Sequence, residues 1–220
     1  MDFEVIVGID FSIRSTGICI FEYGMYKWIS ISDNIKWNNK PYKHHSNIND
    51  LRLCKIVSYD REHIPKKTDK TYDEVWLYKL DNAKNHTELI LREMGCLQSP
   101  IFAFEGFSYG SKGNSFIDLI VYNTYLKSGI SRNFIYPTHT IAPKSLKKWF
   151  TGNGNASKVD MFNSFINSKD PYLKEDEFHK YCKGIVIERD NVPKPIEDLV
   201  DAYAVCKYQT EKSNQIKLTQ

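Results

Sequence analysis

The sequence predicts an α/β protein built on a mixed β-sheet, with antiparallel opening hairpins, then parallel strands, and helices on the flanks. Three observations carry this. Short apolar runs over residues 3–9, 17–23 and 26–32, bounded by turn residues, read as buried strands. From Thr71 the apolar residues recur at helical spacing instead. Strand-like runs then alternate with helical stretches, and a hairpin followed by such alternation is the pattern of a sheet covered by helices.

Each element has its own signal. Val5-Ile6-Val7-Gly8-Ile9 ends on a single acid, Asp10, and a polar turn over Ser12 to Ser15 leads into the run from Gly17, so the first two strands form an antiparallel hairpin. In the third strand Trp28, Ser30 and Ser32 alternate with Lys27, Ile29 and Ile31. Residues 34–70 are rich in Asn, Lys and His with few periodic apolar positions. They read as an insertion of loop with one short strand between Leu51 and Tyr59. Val75, Tyr78, Asn82, Leu89, Ile90 and Met94 form a helical stripe, with Asp73 as its cap and Gly95 as its stop. Pro100 to Glu105 is another apolar strand ending on one carboxylate, and Gly106 to Gly113 a Gly/Ser-rich loop. A helix over Asn114 to Lys127 is stopped at Gly129, and Asn133 to Tyr136 is a short strand ended by Pro137. Helices follow over 143–150 and 156–167, around Gly152-Asn153-Gly154. The stretch 168–195 is mixed and punctuated by proline, and a final helix runs from Ile196 to about Tyr208. One domain, residues 1–220, is expected.

Composition excludes more than it assigns. At 220 residues the chain can bury one sizeable core. A net charge of +3 selects no partner by itself. The basic residues do gather, in Lys144-Ser145-Leu146-Lys147-Lys148 and at Lys158. No apolar run approaches the length of a membrane span. Asp2, Glu4 and Asp10 argue against a secretory signal, so a cytoplasmic protein is expected. The five cysteines are widely spaced and form no Cys-x-x-Cys pair, which fits buried reduced thiols rather than a disulfide framework. His179-Lys180-Tyr181-Cys182 has no second half with zinc-ligand spacing, and His44-His45 sits in a polar loop.

The acids are the chemical signal. An ionised carboxylate at the end of a buried strand is unfavourable unless something pairs with it or coordinates it. Two strands end this way, on Asp10 and on Glu105, and the last helix adds Asp198 and Asp201. Residues three apart share one helical face, and the neighbours Leu199, Val200, Ala202 and Ala204 are apolar, so this face packs against the body. Taken alone, Asp198 and Asp201 are explained by the helix dipole. Taken with Asp10 and Glu105 they form a set suited to two-metal phosphodiester hydrolysis, in which paired divalent ions activate water and stabilise the leaving oxygen. An all-oxygen set favours magnesium over zinc, and four carboxylates without a cation repel one another.

These residues resemble the RuvC-type Holliday junction resolvases, whose fold is ribonuclease H-like. Gly8-Ile9-Asp10 with Thr16-Gly17 is similar to the first motif of that family, and Phe104-Glu105-Gly106-Phe107 to its second. Asp198-Leu199-Val200-Asp201-Ala202 is similar to the closing Asp-x-x-Asp-Ala motif. Ala142-Pro143 to Lys148 and Gly152-Asn153-Gly154-Asn155-Ala156-Ser157-Lys158 resemble the intervening Ala-Pro…Lys and Gly-x-Gly-x-Ala-x-Lys segment. The run from Glu105 to Gly113 further resembles bacteriophage-encoded members. The resemblance implies that Asp10, Glu105, Asp198 and Asp201 hold two Mg2+ ions, for which Mn2+ substitutes, and that Lys147 and Lys158 are catalytic as positive charges near the scissile phosphate. It implies DNA contacts from Phe107, Tyr109, Lys112, Lys144, Lys147, Lys148 and Lys158. It also implies a homodimer on branched DNA, a four-way junction above all, with the helix after Glu105 at the interface through Phe116, Ile117, Leu119, Ile120 and Tyr125. Asp10 and Glu105 stand farther apart in the chain than is typical of the family, and residues 34–70 and 168–195 have no counterpart in it.

Two other functions start from the same residues. Gly8-Ile9-Asp10 with Thr16-Gly17 also resembles the first phosphate loop of actin-like and sugar-kinase ATPases, but no Asp-x-Gly occurs in the chain to supply the second loop. A junction-binding protein without cleavage is the non-enzymatic alternative.

Overall fold

The computed structural model describes residues 5–32, 53–58, 72–107, 114–134, 138–187 and 191–218. Strands β1 (Val5–Asp10), β2 (Ser15–Glu22) and β3 (Met25–Ser32) open the chain. Strand β4 (Lys55–Ser58) follows, then helix α1 (Tyr72–Met94), strand β5 (Pro100–Glu105) and helix α2 (Asn114–Asn133). Strand β6 (Thr138–Ile141) precedes helices α3 (Pro143–Thr151) and α4 (Lys158–Ile166). A 3-10 turn (Pro171–Leu173), helix α5 (Glu177–Lys183) and the long helix α6 (Ile196–Leu218) complete the order.

The sheet runs β4-β3-β2-β1-β5-β6. Strands β1, β2 and β3 are antiparallel neighbours, with Asp10 opposite Gly17, while β5 lies parallel to β1 and β6 parallel to β5. This is the mixed sheet expected from the sequence, antiparallel hairpins followed by parallel strands, with β4 added parallel to β3 at the edge. Part of the 34–70 stretch is therefore woven into the sheet as its outermost strand.

Pleating sends successive side chains to opposite faces, and each face has its own core. Val5, Val7, Ile9, Ile18, Ile20, Phe102 and Phe104 pack beneath Ile90 and Met94 of α1 and Tyr122, Leu126 and Ile130 of α2. Ile6, Cys19, Tyr26 and Trp28 turn the other way, onto Leu199, Ala202, Tyr203 and Cys206 of α6 and onto Phe162 and Phe165 of α4. Asp10 continues the Ile6 and Gly8 side of β1, so its carboxylate is sent to the α6 face. No helix among the described residues is long and apolar enough to cross a membrane.

Four local expectations are corrected. Asp73 lies inside the first turn of α1, one residue past its start, where it faces the helix dipole instead of capping it. Gly129 does not stop α2, which continues to Asn133. A Cβ at position 129 would stand 2.8 Å from Cγ2 of Thr87 on α1, so this glycine allows the two helices to approach. Asn133, expected to open a strand ended by Pro137, belongs to α2 instead; residues 135–137 lie outside the described residues, and the next described strand, β6, starts at Thr138. The final helix runs ten residues past Tyr208, to Leu218, with the buried Gln209 and Ser213 on its inner face.

Candidate active site

Two glycines let α6 reach the sheet. A Cβ on Gly8 would overlap the Ala202 carbonyl and the Cys206 backbone, and one on Gly17 would overlap the Asp198 carbonyl. With hydrogen in both places, α6 lies directly across β1 and β2. Its first two turns then stand over the end of β1, where Asp10 emerges. Asp198 and Asp201 are almost wholly buried there, at 2% and 3% exposure. Glu105, at the end of the parallel neighbour β5, arrives beside them, and the Gly106 N–H anchors that strand end by donating to the Ile141 carbonyl at 2.8 Å.

The structure thus gathers Asp10, Glu105, Asp198 and Asp201 within electrostatic reach of one another. Burial pushes the Asp10 carboxyl well above its ordinary value, and Asp201, Glu105 and Asp198 push it further, against Lys158. Glu105 is pushed up to about 7, by burial first and then by Asp201, with Lys158 and Lys147 opposing. Burial also raises Asp198, although Lys194 and Ser15 pull the other way. Such mutual repulsion marks a group of acids short of positive charge.

Lysines supply part of that charge. Lys158 is the first residue of α4, whose start is fixed by a capping box. The Asp160 N–H donates to Ser157 Oγ at 3.1 Å, and the Ser157 N–H donates to Asp160 Oδ2 at 2.8 Å. From there Lys158 Nζ pairs with Asp201 and lies 3.1 Å from Glu197 Oε1. Burial works against the Lys158 ammonium, but Asp201 and Asp10 outweigh it and hold the charge on. Lys147, on α3, donates from Nζ to the Ala156 carbonyl at 2.9 Å, which ties α3 to the loop that carries Lys158. Gly154 lets that loop close, since a Cβ there would stand 3.1 Å from the Lys144 carbonyl.

The remaining candidates are more dispersed. Lys144 and Lys148 are exposed on α3. The Phe107 ring is partly buried and meets Phe116 of α2 edge-on at 5.9 Å. Tyr109 and Lys112 lie outside the described residues.

Three residues at the cluster were not among the expected ones. Lys194 pairs with Asp198 and stands 3.3 Å from Glu197 Oε1. Glu197 is held below its ordinary carboxyl value because Lys158 and Lys194 outweigh the effect of its burial. Ser15, at the start of β2, donates its hydroxyl to Asp198 Oδ2. In the sequence Glu197 reads as one more acid in the first turn of a helix. Lys194 reads as a loop residue between prolines, and only its spacing of four before Asp198 hints at a pairing.

The donors suit a hard cation: they are all carboxylate oxygens, and the buried Oδ1 of Asp201 has no hydrogen-bond partner. As the side chains stand, no three acidic, histidine or cysteine groups among the described residues converge on one point where an ion would be held. The ammonium groups of Lys158 and Lys194 occupy the acids instead.

No protein-family model matches the sequence, and no curated protein matches it in sequence. Among solved structures the chain is similar to Thermus thermophilus RuvC, at 12% identity, over 92% of this chain and 90% of that one, with a TM-score of 0.49. It is also similar to T. thermophilus RuvC in complex with a Holliday junction substrate, at 10% identity over the same shares, with a TM-score of 0.48.

Proposed function

We propose that this protein is a divalent-metal-dependent endonuclease that cuts branched DNA, with the four-way junction as its preferred substrate. The supporting observation is the meeting of Asp10, Glu105, Asp198 and Asp201, from two strand ends and one helix, beside the Lys158 ammonium. The orphaned Asp201 oxygen and the raised carboxyls of Asp10 and Glu105 favour a cation among them. On this reading those four acids hold two Mg2+ ions, or Mn2+ in their place. When bound, such a pair activates water for attack on the phosphorus and stabilises the leaving oxygen.

The chain's own part is to bind and orient. Lys158 and Lys147 offer point charges to the scissile phosphate and to the charge that develops there. Lys144 and Lys148 extend the positive surface along α3 for the sugar-phosphate backbone. Phe107, at the mouth of β5, offers a face on which an opened base stacks, and Tyr109 and Lys112, which follow it in the sequence, are proposed as further DNA contacts. A homodimer joined through α2 would present two such sites to the two-fold arms of a junction.

The test is cleavage of end-labelled four-way junction, flap and linear duplex in Mg2+ by wild type and by Asp10→Asn. Wild type is expected to nick the junction, and the variant to lose about a thousandfold in rate, as for loss of several kcal/mol of transition-state stabilisation. If no branched substrate is cut, or the variant cuts as well as wild type, the reading fails. Tight junction binding without cutting would assign a binding protein, and hydrolysis of magnesium-ATP would assign the ATPase.

A further inference from the structure

Glu197 Oε1 lies between two ammonium groups, 3.1 Å from Lys158 Nζ and 3.3 Å from Lys194 Nζ, and each of those lysines also grips one acid of the cluster. Lys158 takes Asp201 and Lys194 takes Asp198. Both oxygens of Asp198 are thereby engaged: Ser15 donates to Oδ2, and Lys194 holds Oδ1. The two partners differ in mobility. Ser15 is buried at the start of a central strand, whereas the Lys194 side chain is long and 31% exposed, reaching in from solvent. Two cations crowded onto one buried carboxylate repel strongly, so Lys194 and a divalent ion exclude each other at Asp198, and Lys194 is the one able to leave.

We propose that Lys194 is a built-in competitor of the metal: its ammonium neutralises Asp198 in the metal-free protein and is displaced when a divalent ion binds, while Glu197 keeps the displaced ammonium at the rim. The inference rests on the two-metal reading and gives Lys194 a positioning role, exerted through Asp198. It explains how so many acids are held together before metal arrives. It also makes metal affinity a property that this chain deliberately weakens, since part of the binding free energy goes into removing the lysine.

The experiment is a titration of Mn2+ into the metal-free full chain, with free Mn2+ followed by electron paramagnetic resonance. Lys194→Gln is expected to bind Mn2+ about tenfold more tightly than wild type, a coupling of ordinary size. Lys194→Arg, which keeps the charge, should bind as wild type does. Lys180→Gln removes one positive charge from the surface pairs with Glu175 and Glu177 and should leave affinity unchanged. Without metal, Lys194→Gln should melt below wild type, and saturating Mn2+ should erase the difference. Lys194→Met, which keeps the aliphatic stem, replaces the glutamine variant if that one does not fold. The proposal is overturned if neutralising Lys194 leaves Mn2+ affinity unchanged or weakens it, or if Lys180→Gln tightens binding as much. If wild type shows no Mn2+ binding that Asp10→Asn removes, the two-metal reading itself falls and takes the competition with it. That result is distinct from one in which wild type binds and the lysine variant binds no better.

Discussion

Glu105 shows most directly how the cluster trades stability for charge. Its carboxyl, raised from an ordinary 4.5 to about 7, keeps its proton in the folded protein at pH values where the unfolded chain has lost it. The unfolded state therefore binds fewer protons between about pH 4.5 and pH 7, and metal-free stability falls as pH rises through that window. Asp10, shifted in the same direction, adds to the slope. Replacing Glu105 by Gln removes the penalty. In EDTA the variant should match wild type near pH 4.5 and exceed it by about 2 kcal/mol at pH 8, as read by thermal denaturation across that range. A variant less stable than wild type at pH 8 would mean that Lys158 and Lys147 already balance the Glu105 charge. Lys194 and Glu197 stayed hidden in the sequence because nothing local distinguishes a lysine before a helix or an acid in its first turn. Their meaning comes from the cluster around them: Asp198 is held among buried acids from distant strands, and Glu197 meets Lys158 from the α4 terminus, many residues away in the chain.

At the scale of elements, the site depends on how closely α6 can lie on the hairpin. Gly17→Ala puts a methyl group into the Asp198 carbonyl, and backbone cannot yield as a side-chain tip can. The variant should lose about 3 kcal/mol in urea denaturation and bind Mn2+ more weakly, because Asp198 is pushed off its position. Wild-type stability in this variant would show that α6 slides freely and that the glycine is incidental. Much at this scale was legible. Apolar runs that end on one acid marked the strand ends β1 and β5, and the i, i+3 spacing of Asp198 and Asp201 marked one buried face of α6. What was not legible came from tertiary packing. Gly129 carries the usual sign of a helix end, yet it serves the crossing of α1 and α2 at Thr87. Asn133 reads as the start of a strand, yet it is the last residue of α2.

For the whole molecule, the sheet divides the labour. One face, under α6, α3 and α4, carries the acids and lysines. The other, under α1 and α2, leaves Leu77, Leu80, Ile117, Ile120 and Tyr125 exposed on its outer surface. Apolar residues gathered on paired helices favour a protein partner, and in the proposed homodimer a second copy covers them. Sedimentation should give a dimer for wild type and a monomer for Ile117→Glu with Ile120→Glu. Monomer stability should stay within about 0.5 kcal/mol of wild type, because both positions face solvent. A monomeric wild type would remove α2 from the interface. The placement of α6 also bears on when the protein becomes capable of chemistry. Asp10 and Glu105 sit on strands made early, while Asp198 and Asp201 belong to the last helix in chain order. A chain still emerging from the ribosome holds half of the acids and has no helix to lay across its hairpin. On the proposed reading it cannot cut until α6 has been made and laid down, and the order of translation itself delays the chemistry.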